Sequence, residues 1–237
     1  MTQRNAASLI LSALSLLALP ACVFVLDGDG SHWDHGHWHG GRDAIQGSGV
    51  SKTEDRTVGD FKRVEVNCGA DVAVSVGSAA SLSVTGDDNL LQYLVTEVRD
   101  GALVVEMKSG SYSSKIAMKL VANVPQLEGV VIRGSSDIDV TNVSGDKFSV
   151  SIAGSGDVRA KGKVGAASVH VTGSGDVRLA ELEARDVNVE ISGSGNADVW
   201  ATESLAVSVA GSGDVVYRGD PTRITKSVAG SGSIVKH

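Results

Sequence analysis

Three sets of residues in this chain have the types and spacing to do chemistry. The first is the segment HWDHGHWHGG, which holds four of the six histidines, His32, His35, His37 and His39. Neutral imidazoles bind zinc, nickel or copper, and a mobile segment could wrap one ion with three or four of them, with Asp34 as a further donor. The second is Gly-Ser-Gly-Asp, which occupies residues 154–157 and returns further along the chain. A phosphate-binding loop needs Lys-Ser/Thr after its glycines and a helix behind them, whereas Asp157-Val158-Arg159 runs on as a strand-like segment, and no third glycine completes a dinucleotide pattern. Calcium is a better challenger, since glycine-aspartate turns of β-rolls bind it in series. Those repeats step by nine residues with two facing turns per ion, while here the step is about twice as long with one acidic residue per corner. The third set is Asp157 with Arg159 and Asp176 with Arg178. Polysaccharide lyases and hydrolases need paired carboxylates, or carboxylates with calcium and a cationic base, in a groove. These four residues are either such a constellation or ion pairs on a surface. His170 stands apart, with no partner that the sequence predicts.

The composition bounds what can position these groups. At 42% hydrophobic, with 29 Gly but only 3 Pro, the chain can bury a core, and with 4% aromatic residues that core must be aliphatic. Its Val and Ile favour strands over helices. Residues 1–21 read as an export signal: Arg4, then a largely apolar run from Ala6 to Leu19, too short to span a bilayer. The end of that run, Leu19-Pro20-Ala21-Cys22, resembles a bacterial lipobox, in which Cys22 is acylated and anchors the chain to a membrane. The competing reading is an ordinary secretory signal, but cleavage of that type would want a small residue where Leu19 stands. With Cys22 lipidated, Cys68 is left as a lone thiol in the strand-like VEVNCGADVAVSV, where a cysteine acts as a small core residue. The formal net charge is −7, and removing the signal with Arg4 makes it one unit more negative. That disfavours nucleic acid as a partner.

Residues 22–57 carry Gly, Ser, Asp and the histidine cluster without a sustained period, and read as a flexible tether. From residue 127 onward the chain repeats. LEGVVIRGSSDIDV, FSVSIAGSGDVRA, ASVHVTGSGDVRL, VNVEISGSGNADV, LAVSVAGSGDVVY and ITKSVAGSGSIVK place their first glycines at Gly134, Gly154, Gly173, Gly193, Gly211 and Gly230. A step near 19 residues is a structural period. Apolar residues fall two and four places before each of the first five of these glycines, and again four and six places after it. Each unit therefore reads as two short strands joined at a corner. The expected corner residues are Gly154, Gly156 and Asp157; Gly173, Gly175 and Asp176; Gly193, Gly195 and Asn196; Gly211, Gly213 and Asp214; and Gly230 with Gly232. Glycine supplies positive φ there, and the aspartate accepts backbone N–H groups as in an Asx-turn.

Two strands alone are marginal in water. Stacking such units as coils of a parallel β-solenoid pairs their backbones at about 4.8 Å and makes continuous aliphatic columns. A sandwich would not need identical corners at a fixed step. Before the repeat, FKRVEVNCGADVAVSV reads as a degenerate coil around Gly69, DDNLLQYL as a helical turn or two, and TEVRDGALVVEM as two strands about Asp100-Gly101. At the far end Lys226 and Lys236 take inward positions, as expected of a polar cap on a terminal coil. The outward positions before the corners are small, among them Ser151, Ala153, Ser168, Thr172, Ser192, Ser208 and Ala210, and would form a flat, mildly polar wall.

The opening FKRVEVNCGADVAVSV, the middle DDNLLQYLVTEVRDGALVVEM, the segment VPQLEGVVIRGSSDIDV and the serial GSGD units together resemble the bacterial head GIN domain, over about residues 58–237. That family is described as an auto-transporter adhesin head domain and is common in envelope lipoproteins. The resemblance implies an all-β solenoid and an envelope location, and no established activity. The expectation is an exported lipoprotein, anchored at Cys22 and sorted to the outer membrane. Its single-domain β-solenoid would act as a non-catalytic, adhesin-like module on envelope polysaccharide or protein. The alternatives are a polysaccharide-acting lyase or hydrolase and a metal-binding lipoprotein.

Overall fold

Each repeat has one aliphatic face that only another repeat can cover, and the chain meets this need by stacking. A computed structural model describes residues 44–237, which fall in one compact unit, Gly41–His237. The expected signal, Cys22 and the four clustered histidines lie outside the described residues. The first half of the described chain holds β1 (Ile45–Gln46), β2 (Ser51–Arg56), β3 (Arg63–Val66), β4 (Asp71–Val76), β5 (Ser81–Asp87), a 3₁₀ turn at Leu91–Tyr93, β6 (Leu94–Arg99), β7 (Ala102–Met107), β8 (Tyr112–Ser113) and β9 (Lys119–Val124). The repeats follow as β10 (Gly129–Gly134), β11 (Ile138–Gly154), β12 (Val158–Gly173), β13 (Val177–Gly193), β14 (Ala197–Gly211), β15 (Val215–Arg218), β16 (Arg223–Gly230) and β17 (Ile234–Lys236).

The repeats form a parallel β-solenoid. Before the corner, Val130, Val150, Val169, Val189 and Val207 stand in one register column, and Ile132, Ile152, Val171, Ile191 and Val209 in the next. After the corner, Ile138, Val158, Val177, Ala197 and Val215 are aligned. All of these side chains are buried. Burying one Val or Ile contributes about 1.5–3 kcal/mol before entropy is subtracted, so the columns supply the cohesion that aromatic residues supply elsewhere.

Between one corner strand and the next, each coil makes a further bend, and β11 to β14 run 15 to 17 residues around it. The coil is thus more than the two short strands that the repeat predicts, since Val143, Val164, Ala184 and Ala201 are buried beyond the second strand. Pairing slips at this bend, between Arg159 and Lys161 and again between Leu179 and Glu183. The aligned corners keep an unbroken register, so unequal coil lengths are absorbed here.

The first half adapts the solenoid to a chain without GSGD. Arg63–Val66 pairs in parallel with β10, and Asp71–Val76 with β11, so the segment around Gly69 is a true coil. Strands β6 and β7 form an antiparallel hairpin whose turn residues, Asp100 and Gly101, both have positive φ, as a two-residue turn requires. Residues 51–56, which the sequence assigns to the tether, form β2 and pair antiparallel to β5. SKTEDR has no apolar alternation because this strand lies largely exposed and is held by backbone bonds. At the other end Lys226 aligns with Val207. Its ammonium lies 4.5 Å from the centre of the Tyr217 ring.

Candidate functional site

The corners are built for stacking. Each first glycine has a φ that side chains rarely adopt, +142° at Gly154 and +129° at Gly173. The second glycines have a different reason: a Cβ on Gly175 would lie 2.2 Å from the carbonyl oxygen of Gly156 and 3.0 Å from Ile152 Cγ2. The corresponding Ser136 is accommodated because its neighbour is the degenerate corner, where its hydroxyl donates to the Cys68 carbonyl and accepts from the Ala70 N–H.

The corner aspartates make a different bond from the one the sequence predicts. Each accepts the N–H of its counterpart on the next coil: Asp137 from Asp157 (3.0 Å), Asp157 from Asp176 (3.0 Å), Asp176 from Asn196 (3.1 Å), Asn196 from Asp214 (3.0 Å) and Asp214 from Ser233 (2.8 Å). The side chains fasten coil to coil rather than closing their own turns. Arg178 donates to Asp157 Oδ2 at 2.9 Å and to Asp176 Oδ2 at 3.2 Å, while Arg159 pairs with Asp139. The four residues of the expected acid–base constellation thus share a face, with their oxygens engaged in ladder and ion-pair bonds. Among the described residues no group of three or more His, Cys, Asp or Glu could hold a metal ion. His170, expected to be solitary, faces Glu190 on the next coil at 3.5 Å.

A groove of about 850 Å³ runs along the solenoid on the side where each coil enters its first strand. One wall is the column Lys147, Ala166, Asp186, Ser204, and the other is Ser149, Ser168, Asn188, Ala206. Between them the strands carry Phe148, Ala167 and Val187, whose side chains are buried beneath the groove. Depth comes from Ala166, which stands where the flanking coils carry the longer Lys147 and Asp186. At one end the rim holds Asp60, Lys62, Arg63, Asp100 and Glu128. Lys147 and Lys62 each lie 3.3 Å from Glu128 and hold its carboxyl below the usual carboxylate range. Ser168 was legible as part of the wall of small residues. The groove was not, because its neighbours are set by register, although the small AAS run in one repeat unit was a signal that could have found it.

Two further groups define stability rather than the site. Burial would raise the pKa of Asp87, but the N–H groups of Ile116 and Gly49, the Ser114 hydroxyl and the Lys115 N–H outweigh it and lower it to about 2. Cys68 is half-buried, and desolvation pushes its thiol up to about 11, so it is overwhelmingly the unreactive thiol at neutral pH.

A family model described as "Putative auto-transporter adhesin, head GIN domain" matches residues 60–221. The crystal structure of a putative adhesin from Bacteroides fragilis NCTC 9343 is 24% identical over 82% of this chain and 100% of that one, with a TM-score of 0.68. A structure named putative lipid binding protein, from Parabacteroides distasonis ATCC 8503, is 30% identical over 82% of this chain and 99% of that one, with a TM-score of 0.52. A putative adhesin from the same organism is 21% identical over 82% and 100% of the two chains, with a TM-score of 0.52. No curated protein matches the chain.

Proposed function

The chain belongs to the head GIN domain family, and from that premise we propose that it is an exported, non-catalytic, adhesin-like module that binds an envelope polymer or protein through its groove. The observation that carries this reading is the groove itself, a concave surface on a scaffold held by inter-coil pairing. The reading includes acylation at Cys22, with Val23 behind it compatible with outer-membrane sorting. Membrane fractionation of the wild type and of Cys22→Ala tests the anchor, and release of the variant into the soluble fraction is the expected result.

Against a polysaccharide lyase or hydrolase stand the bonds of Asp157 and Asp176 to Arg178 and to the N–H groups of the next coil, which give both carboxylates a structural role. The binding reading is tested by retention of the purified protein on isolated cell envelopes. Retention should survive Asp157→Ala and Asp176→Ala and weaken in Ala166→Trp, which fills the groove. Absence of retention for the wild type would sink it. The histidine segment supports a separate metal-binding role, tested by zinc and copper titration before and after deletion of residues 31–40.

A further inference from the structure

We propose that the groove takes one extended, uncharged polysaccharide chain laid along the solenoid axis, an assignment that rests on the binding-module reading above. The first support is dimension. From Arg63 to Ala206 the groove wall crosses five inter-strand steps. At about 4.8 Å each that is roughly 24 Å, and a volume of 850 Å³ over this length leaves a section of about 35 Å², room for a single chain.

The second support is the arrangement of chemistry. Both walls carry hydrogen-bonding side chains, Ser168 and Asn188 on one and, on the other, Asp186 and Ser204, whose hydroxyl donates to the Asp186 carboxylate, while the small Ala166 and Ala206 leave apolar surface between them. Sugar rings match this section, with hydroxyls at their edges and carbon faces between. An extended peptide would need backbone partners, but the N–H and C=O groups of β11 to β14 are already paired between coils, and those strands run across the groove. The third support is charge. The groove is lined by three cations, Lys62, Arg63 and Lys147, against four acids, Asp60, Asp100, Glu128 and Asp186. Two of the cations already serve Glu128. Asp186 in turn is paired with Arg223 and Arg185, so the charges along the groove are largely engaged with one another, and an uncharged chain needs none of them.

The test is calorimetric titration of the full chain with uncharged hexasaccharides of β-1,4, β-1,3 and α-1,4 linkage, alongside hexagalacturonate, palmitate and an unstructured hexapeptide. At least one uncharged hexasaccharide should bind, and its disaccharide at least tenfold more weakly, because it meets fewer coils. Affinity should fall at least tenfold in Ala166→Trp and in Ser168→Arg. Should Ala166→Trp fail to fold, Ser168→Arg, whose side chain starts from an exposed position, still decides. Failure of every uncharged hexasaccharide to bind overturns the assignment, as does binding that both variants leave intact. If hexagalacturonate, palmitate or the peptide alone occupies the groove, the ligand class is wrong while the binding module stands. Loss of envelope retention by the wild type would instead remove the module reading.

Discussion

At Gly175 the missing side chain is a matter of space, since a Cβ would drive into the Gly156 carbonyl of the coil beside it. Gly175→Ala must therefore push neighbouring coils apart or bend one of them, and overpacking of this kind costs about 1–3 kcal/mol. A lowered melting temperature with an unchanged far-UV spectrum is the expected result. Ser136→Gly should also destabilise, for the opposite reason: it leaves the buried Ala70 N–H without its acceptor, a loss of about 1–3 kcal/mol. Asp87 makes a pH prediction. Its folded pKa, about 2, lies below the ordinary value of about 3.9. The carboxylate's contribution is therefore complete above pH ~4 and is lost as pH falls from there through about 2. The amide resonances of Gly49, Lys115 and Ile116 should shift together with a midpoint near 2, and a midpoint near 4 would contradict the assignment. Nothing in the sequence announced Asp87, because its partners stand 27 to 38 residues away, whereas each corner glycine announced itself by recurring.

At the scale of elements, the corner ladder turns a repeated side chain into a repeated inter-coil bond. Asparagine can serve as well as aspartate, as Asn196 does when its Oδ1 accepts from Asp214. Asp157→Asn should leave the melting temperature nearly unchanged, whereas Asp157→Ala frees the Asp176 N–H and removes about 1 kcal/mol. Because each ladder oxygen already has an N–H, adding calcium or a chelator should not move the melt; a calcium-dependent rise would show that the ladder is also a cation edge. The corners were legible because one residue set must recur wherever coils stack. The second bend was not, because it absorbs unequal lengths and its positive-φ residues change from Asn142 and Gly145 to Gly162. Strand β2 was hidden for a further reason: SKTEDR gains its place through backbone pairing at an exposed position, which leaves no hydrophobic pattern to read.

At the scale of the whole molecule, a solenoid with equivalent corners should tolerate loss of a complete coil. Residues 158–176 form such a unit: excising them joins Asp157 directly to Val177 and recreates the Gly-Ser-Gly-Asp-Val-Arg sequence of an intact corner. The new neighbours also fit, because Ile138 and Val140 would meet Val177 and Leu179 in place of Val158 and Ala160. Bulk is gained at the Ala160 position and where Leu182, Val187 and Ile191 take the places of Gly162, Ala167 and Val171, so repacking should be confined to these sites. Stability in such arrays is close to a sum of unit and nearest-neighbour contributions. The shortened chain should accordingly unfold in one transition, with a denaturant slope reduced in proportion to the surface lost. Its groove, however, would lose the Ala166 step that gives it depth and bring Lys147 directly against Asp186. A shortened protein that folds but is no longer retained on cell envelopes would separate the two roles of the repeat, with the corners sustaining the fold and one atypical coil shaping the binding surface. Retention that survives the excision would place the binding surface elsewhere on the solenoid.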